Sequence, residues 1–297
     1  MSIKGFDKFR EKLPALSGYK ITILVLYIVC MIAMAFSVCI SFDMLPGLLL
    51  PSSAGAVMLS FLPLVGMLLV EGAGFMLVWQ MWFQRDRLRA KHSAGAYQRI
   101  FPAGFGGILL LLSLTINQYI PYYSFAPEFW AASPLSFLAT PLEVFLGSAG
   151  QPVLWVRYAV VAVLLVMGIL TVVRALQAFG FDYMTLVYMY FPEESKVQRN
   201  EIYSALRHPA YSGAILISLG GAFFVFTALS FAAFALYLAG FYIHVHFVEE
   251  RELIQRFGDS YSSYRRETPA FFVSPGKLGT LLRFLAGKGK GKGKSKR

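Results

Sequence analysis

Two charged clusters in the C-terminal third of the chain combine residue types that bind and position polar ligands. The first is Arg207-His208, which directly precedes Pro209 and a long apolar run. Proline fits the first turn of a helix, where its missing N–H costs nothing, so we expect both side chains to lie at the start of a helix. The second cluster is the pair Glu249-Glu250. Arginine can hold a carboxylate through two parallel hydrogen bonds, and a glutamate can pair with an ammonium group.

The apolar residues between these clusters predict a helical hairpin across a membrane. One span runs near Ala210–Leu229 and the next near Phe231–Phe247, with a tight turn around Thr227–Ser230. A bilayer is crossed by about 20 apolar residues, so two such spans return the chain to the side on which it started. We therefore expect the arginine and histidine to meet the two glutamates at one membrane face.

The composition is that of an integral membrane protein. Only 14% of the 297 residues are charged, whereas soluble domains carry roughly 25%. The net charge of +11 falls mainly at the two ends and in loops between apolar runs, where membrane topology explains it, and no nucleic-acid partner is expected. The predicted fold class is all-α, a polytopic membrane protein with about six transmembrane helices, the last two forming the tight hairpin. The six runs lie near Ile21–Ile40, Ala54–Phe83, Pro102–Ile120, Val153–Phe179, Ala210–Leu229 and Phe231–Phe247.

Loop charges predict one orientation, with both termini cytoplasmic. Basic residues occupy the N-terminus, the 85–99 connection and the connection after the fourth span, whereas the connections Ser41–Ser53 and Asn117–Pro152 carry no lysine or arginine. The basic tail is expected to be flexible and to bind anionic lipids. Four regions follow: a basic N-terminus at 1–20, a four-helix membrane region at 21–180, the hairpin and its flanks at 181–275, and the tail at 276–297.

The two charged clusters belong to a longer pattern. It reads RHPxYxG from Arg207 to Gly213 and EExxLxxxFGxxYxxY from Glu249 to Tyr264, separated by the hairpin. This combination resembles the isoprenylcysteine carboxyl methyltransferase and phospholipid methyltransferase superfamily. The resemblance covers roughly Tyr203 to Pro275, and the first four spans match only in being membrane helices.

The resemblance implies an enzyme that transfers a methyl group from S-adenosyl-L-methionine, held at the cytoplasmic end of the hairpin, to a lipophilic or membrane-associated acceptor. We assign a catalytic role to Arg207, His208 and Glu250. We assign cofactor binding to Tyr203, His208, Tyr211, Gly213, His246, Glu249 and Glu250. Members of the family commonly have a glycine two residues before the tyrosine at 203, where this chain has Glu201.

The residue types suit this chemistry independently of the resemblance. Tyr203 and Tyr211 offer aromatic faces to a sulfonium cation, and Gly213 would let a ligand approach the helix backbone. An amine or phenol acceptor would need a general base, for which His208 or His246 is the candidate. No metal is expected, because His244 and His246 diverge on an α-helix and the chain has only four histidines.

Several alternatives stay open at this level. The same hairpin also occurs in NADPH-dependent sterol-type reductases, and a non-enzymatic membrane protein could keep the scaffold. The acceptor could be a prenylcysteine carboxylate, a phospholipid amine, a phenolic lipid or a small thiol. Glu71, near the middle of the second span, predicts either a polar contact in the path of the acceptor or a helix–helix contact.

Overall fold

All regular secondary structure in the described part of the chain is helical. The computed structural model describes residues 4–14, 19–49, 53–185, 187–192, 195, 197–199 and 201–288. The α-helices are α1 Phe6–Lys12, α2 Tyr19–Leu48, α3 Ser53–Leu59, α4 Leu62–Phe83, α5 Arg85–His92, α6 Ala96–Asn117, α7 Pro127–Ala132, α8 Gly150–Phe179, α9 Phe181–Met184, α10 Val187–Tyr190, α11 Pro209–Val225, α12 Ala228–Ile243, α13 Glu250–Phe257, α14 Asp259–Glu267 and α15 Leu278–Leu285. A π-helical turn, His244–Glu249, joins α12 to α13.

The described helices confirm a polytopic all-α membrane protein. Five are long and apolar enough to cross a bilayer, and they cover Lys20–Leu48, Gly55–Phe83, Ala96–Asn117, Gly150–Phe179 and Ala228–Phe257. The predicted fifth of six spans corresponds to α11, which is shorter than these and has 17 residues. At 1.5 Å per residue it is about 25 Å long, which is close to the thickness of the hydrocarbon core.

The ends of several helices differ from the sequence prediction. Helix α2 continues to Leu48, so Asp43, which the sequence placed in an external loop, is helical and 4% exposed. The apolar run stopped at the first polar residues, whereas burial against neighbouring helices lets this helix continue past Asp43. Helix α6 spans Ala96–Asn117 rather than Pro102–Ile120, with Pro102 inside it.

The turn of the C-terminal hairpin is tighter than predicted and lies slightly earlier. Helix α11 ends before Phe226, which adopts the left-handed conformation with φ 56°. Thr227 then caps α12 through a reciprocal pair of hydrogen bonds: its hydroxyl accepts from the Ser230 N–H at 3.1 Å, and the Ser230 hydroxyl accepts from the Thr227 N–H at 3.0 Å. Ser230 thus lies in the first turn of α12 and not in the connection.

A buried core joins α2, α4, α6, α11 and α12, and large apolar side chains cover the outer faces of α2 and α8. The core includes Phe75, Leu114, Ile215, Tyr237 and Phe241. The outer faces carry exposed isoleucine, leucine and valine side chains along most of their length. Helices that are apolar on all sides are typical of membrane spans, so we expect these outer faces to contact lipid.

Side-chain contacts bring the basic segments to the same end of the bundle as the glutamate pair. Arg85 in the connection after α4 forms an ion pair with Glu252 of α13 at 2.9 Å, and Lys8 of α1 donates to the Tyr188 hydroxyl at 3.1 Å. At the opposite end, the Leu142 N–H donates to the Phe226 carbonyl at 2.8 Å. The arrangement is the one that the loop charges predict, while the assignment of this end to the cytoplasm stays a prediction.

Candidate functional site

The segment before α11 is held by the segment after α14. The Arg207 N–H donates to the Pro269 carbonyl at 2.9 Å, and the His208 N–H donates to the Ala270 carbonyl at 3.1 Å. Pro209 then begins α11 and gives up no helical hydrogen bond there. These contacts fix Arg207 and His208 at the mouth of the hairpin, beside the two glutamates, as the sequence predicted.

The π-helical turn determines which histidine joins the site. A π-turn has hydrogen bonds from residue i to residue i+5, so His244 and Glu249 come onto the same face. His244 Nε2 lies 3.7 Å from Glu249 Oε2, and the His244 side chain is 2% exposed. The sequence favoured His246, which instead accepts a hydrogen bond from Arg265 Nη2 at 3.2 Å and stacks on Tyr242.

Glu250 is the centre of a buried network of protein charges. Its side chain is 1% exposed. Oε1 lies 2.8 and 2.6 Å from Nε and Nη2 of Arg207 and 3.2 Å from His208 Nε2, and Oε2 lies 3.0 Å from Arg265 Nε. The Tyr261 hydroxyl also donates to Oε1 at 3.4 Å. Burial and the Glu250 carboxylate both raise the pKa of Tyr261, which therefore stays a protonated donor. Glu250 thus acts as an internal counter-ion of two guanidinium groups.

Arg207 is likewise engaged with the protein. Besides its two contacts with Glu250, its Nη1 donates to the Arg265 carbonyl at 2.7 Å and to the Thr268 carbonyl. All three of its nitrogens therefore face protein acceptors, at the C-terminal end of α14. The sequence predicted that Arg207 would clamp a ligand carboxylate, but the carboxylate that it holds is that of Glu250.

Glu249 has very different surroundings from its neighbour. Its side chain is 20% exposed, and its two oxygens face imidazoles at longer distances, His208 Nδ1 at 3.5 Å and His244 Nε2 at 3.7 Å. Oε2 is buried and has no hydrogen-bond partner among the described residues. Glu249 is therefore the member of the pair that retains capacity to accept hydrogen bonds from a ligand.

His208 lies between the two carboxylates and is protonated at neutral pH. Burial lowers its pKa, but Glu249 at one ring nitrogen and Glu250 at the other outweigh this effect and raise the pKa to about 9. An imidazolium has no free lone pair, so His208 is a cation of the network at neutral pH and not the general base that the sequence suggested.

His244 is held in a defined tautomer beside an aromatic wall. The Trp79 indole N–H donates to His244 Nδ1 at 3.0 Å, so the ring proton lies on Nε2, which faces Glu249 and the Tyr211 hydroxyl at 3.4 Å. The wall around this histidine consists of rings from α4, α11 and α12: Phe75, Trp79, Trp82, Tyr211 and Phe241.

Gly213 and Tyr203, which the sequence analysis assigned to cofactor binding, both pack against α8 in the structure. A Cβ atom at Gly213 would lie 2.5 Å from Val172 Cγ2 and 2.7 Å from the Gly168 carbonyl, so this glycine lets α11 approach α8. Tyr203 is 5% exposed, with its ring 4.8 Å from Phe179. The side chain of Glu201, the departure from the family pattern, lies outside the described part of the chain.

The site shows residues that the sequence analysis did not assign. Arg265, Trp79 and His244 all contact assigned residues, and no sequence signal distinguished them, except that Arg265 directly follows the FGxxYxxY motif. A cavity of about 460 Å³ lies elsewhere, between α1 and the 179–198 segment, and none of the assigned residues lines it. No group of three potential metal ligands occurs among the described residues.

Fold and site define a polytopic α-helical membrane protein with a buried charge network at the mouth of its last helical hairpin. Residues 156–260, from α8 into α14, match the family model of phospholipid methyltransferases. The protein-S-isoprenylcysteine O-methyltransferase of Schizosaccharomyces pombe is 36% identical over 69 residues. This match covers 23% of the chain, and the chain spans only 29% of that relative's length. No solved structure matches the chain. The matches confirm the predicted resemblance of the C-terminal part of the chain to membrane methyltransferases.

Proposed function

We propose that the chain is an integral membrane methyltransferase that uses S-adenosyl-L-methionine and acts on a lipophilic acceptor. The observation that carries the proposal is that two adjacent glutamates, Glu249 and Glu250, differ in their charged contacts. Glu250 is neutralised by two arginines, whereas Glu249 has a buried oxygen, 3.7 Å from His244 Nε2, without a hydrogen-bond partner among the described residues. Such an oxygen suits the ammonium group of an amino-acid ligand.

The other groups of the site fit the same cofactor. The Tyr211 ring lies 5.8 Å from the ring of His244, and an aromatic face at this position would attract a sulfonium cation. Arg207 is occupied by Glu250, so a ligand carboxylate needs another cation. Arg265 is 34% exposed and contacts both Glu250 and His246, which makes it the guanidinium best placed to bind that carboxylate from the rim.

The chain's own contribution to the reaction would be binding, orientation and exclusion of water. When bound, the sulfonium would supply an electrophilic methyl group, and the neutral thioether S-adenosylhomocysteine would be the leaving group of the in-line transfer. Alignment and desolvation of the reacting groups would therefore account for most of the rate enhancement. His208, held as a cation between Glu249 and Glu250, would balance the charge of the two carboxylates. His246 is tied to Arg265 and remains a candidate base for an amine or phenol acceptor.

The proposal includes an orientation and two lipid contacts. We infer that the end carrying α1, Arg85 and the glutamate pair faces the cytoplasm, where S-adenosylmethionine is available. The acceptor would enter from the bilayer. The basic tail would contact anionic lipids; residues 289–297 of it lie outside the described part of the chain.

Equilibrium binding separates this proposal from its alternatives. Purified protein in lipid nanodiscs is incubated with labelled S-adenosylmethionine or with NADPH, and saturable binding is measured. We expect saturable S-adenosylmethionine binding that S-adenosylhomocysteine displaces, and no saturable NADPH binding. Binding of NADPH alone would indicate a reductase, and binding of neither would indicate a non-enzymatic protein. Either result would contradict the proposal.

A further inference from the structure

The last helix in the described part of the chain, α15, is amphipathic and divides its apolar residues between two sides. Leu281 and Leu285 are buried and belong to one core cluster with Ala178 of α8. Leu278 and Leu282 lie next to them on the helix surface but are 43% and 48% exposed. The helix has eight residues, which are too few to cross a bilayer. A short amphipathic helix of this kind is typical of segments that lie in the plane of a membrane surface.

Helix α15 lies beside the outer face of α8, which we expect to contact lipid. Val173 of α8 is 41% exposed. The next residue, Arg174, donates from Nε and Nη2 to the Leu285 carbonyl, both at 3.3 Å. The exposed apolar side of α15 is therefore adjacent to the end of a membrane span.

The charge of this region favours an anionic surface. Arg283 and Lys288 are exposed, and residues 288–297 contain five lysines, one arginine and no acidic residue. An apolar side flanked by basic residues suits a bilayer that carries anionic lipids, because acyl chains cover the leucines and headgroups pair with the cations. A second copy of the chain would instead bring two basic surfaces together.

The start of α15 is tied to both segments that hold Arg207. Lys277 Nζ donates to the Ser204 carbonyl and to the Glu267 carbonyl, both at 3.0 Å. Ser204 lies three residues before Arg207, and Glu267 directly precedes Thr268, whose carbonyl accepts a hydrogen bond from Arg207. Lys277 thus joins the segment before α11 to the end of α14.

Apolar contacts connect α15 to the same segment. Leu281 and Leu285 share their core cluster with Ile202, Tyr203 and Leu206, the last of which directly precedes Arg207. The position of α15 therefore affects the position of Arg207 through both polar and apolar contacts.

We propose that α15 docks on an anionic lipid bilayer, and that this docking stabilises the arrangement of Arg207 and His208 at the site. With Leu278 and Leu282 among acyl chains, α15 is held in place and Lys277 stays on its two carbonyl acceptors. Lys277 is then a positioning residue, which acts on the site through the backbone around Arg207. The predicted effect on the cofactor rests on the proposed function, whereas the docking itself does not.

The first test measures whether the exposed leucines lie in the bilayer. Bimane is attached to L278C or to G279C in full-length protein carrying C30S and C39A, in nanodiscs with plain or brominated acyl chains. Adjacent residues on a helix point about 100° apart, and both positions are exposed. We expect bromine to quench bimane at position 278 more strongly than at 279. Equal quenching, or none, would show that water or another protein covers this side and would overturn the docking.

The second test measures the coupling without any cofactor. Arg207 and His208 donate their N–H groups to the carbonyls of Pro269 and Ala270, so slow amide exchange of these two residues reports the intact arrangement. Exchange is followed by mass spectrometry in phosphatidylcholine nanodiscs with or without phosphatidylglycerol. We expect exchange to be about fivefold slower or more in the anionic nanodiscs, the lower end of couplings between two sites. Equal exchange in the two lipids would overturn the coupling.

Variants assign this lipid dependence to α15. L278S/L282S should abolish the difference between the two lipids. K277M should also abolish it, and K277R, which keeps a donor, should retain it. The matched control is V144S/F145S, which removes two exposed apolar side chains from the opposite end of the bundle and should keep the full difference. An unchanged lipid dependence in both L278S/L282S and K277M would overturn the role of α15.

Cofactor affinity connects the coupling to the proposed function. The Kd of the wild type for S-adenosylmethionine should be about fivefold lower or more in the anionic nanodiscs, and L278S/L282S should show no such difference. Equal Kd values of the wild type in the two lipids would overturn the effect on the site. Absence of S-adenosylmethionine binding in both lipids would instead contradict the proposed function, while quenching and amide exchange would still decide the role of α15.

Discussion

Arg207 and Glu250 form a buried ion pair in which Nε and Nη2 of the arginine lie 2.8 and 2.6 Å from the same carboxylate oxygen, Oε1. The pair joins the residue before the His208 cap of α11 to the first residue of α13. Because Arg265 neutralises the second oxygen at 3.0 Å, the glutamate also ties α14 to this junction. The sequence suggested that Arg207 and Glu250 bind a ligand, whereas in the structure they mainly bind each other and stabilise the site.

Replacement of Glu250 by glutamine should destabilise the protein rather than remove a ligand contact alone. The change leaves the guanidinium groups of Arg207 and Arg265 buried or half-buried without their counter-ion. Breaking a buried pair in this way costs about 3–5 kcal/mol. The measurement is thermal unfolding in nanodiscs, with the exposed Glu267→Gln variant as control. Wild-type thermal stability in E250Q would show that the network does not hold the junction.

The charge of His208 should make stability depend on pH. Its folded-state pKa is raised from 6.5 to about 9, so the stabilising contribution is fully present below about pH 6.5 and is lost as the pH rises through about 9. The difference corresponds to about 3 kcal/mol at most. Between pH 6 and 10, the unfolding temperature of the wild type should therefore fall more steeply than that of H208Q. If the unfolding temperatures of the two proteins depended on pH in the same way, the protonated state of His208 would be contradicted.

Trp79 should influence cofactor affinity through the His244 tautomer. Trp79→Phe removes the donor to Nδ1, so the proton on Nε2 is no longer fixed toward Glu249. We expect the Kd for S-adenosylmethionine to rise roughly two- to tenfold, the effect of one hydrogen bond.

Trp82→Phe is the matched control for Trp79→Phe. The Trp82 ring also packs on His244, at 5.3 Å, but its indole N–H has no hydrogen-bond partner among the described residues. Equal effects of the two substitutions on the Kd would show that packing, and not the tautomer, matters.

The hairpin and the convergence at its mouth could be predicted from the sequence because they depend on simple rules. The length of an apolar run sets the number of crossings, and two crossings return the chain to one face. Pro209 marked the start of α11 correctly, one residue before the predicted span. Ends that depend on tertiary contacts were wrong, as at Asp43, where burial keeps a polar residue within α2.

The sequence could not predict that Glu250 is paired with arginines while Glu249 keeps an oxygen without a hydrogen-bond partner among the described residues. Adjacent residues on a helix point in different directions, and which one is buried depends on packing partners distant in sequence, here Arg207 and Arg265. The π-turn was equally hidden, because an i to i+5 hydrogen-bond pattern has no composition signal. It moved His244 into the site and left His246 at its rim.

Gly213 should prove important for packing. G213A places a methyl group within 2.5–3.0 Å of α8 atoms, including the Gly168 carbonyl at 2.7 Å, and overpacking of this kind costs about 1–3 kcal/mol. We expect a lower unfolding temperature in nanodiscs, with the S-adenosylmethionine Kd of the folded fraction unchanged. Gly72→Ala, at a helical glycine with no atom within 4 Å of the added Cβ, is the matched control. If G213A lost affinity for S-adenosylmethionine without losing stability, Gly213 would contact the cofactor and the packing role would be wrong.

The affinity of the Glu249→Gln variant for S-adenosylmethionine tests the central claim most directly. Glutamine keeps the size of the side chain but loses the charge that would pair with the ligand ammonium, so we expect the Kd to rise about 10- to 100-fold. The unfolding temperature should fall less than in E250Q, because Glu249 contacts two imidazoles at 3.5 and 3.7 Å, whereas Glu250 also holds two guanidinium groups. The measurement is equilibrium binding of labelled cofactor to wild type, E249Q and the Glu267→Gln control in nanodiscs. Weakened binding in folded E249Q but not in the control is the predicted result, and a wild-type Kd in E249Q would contradict the account.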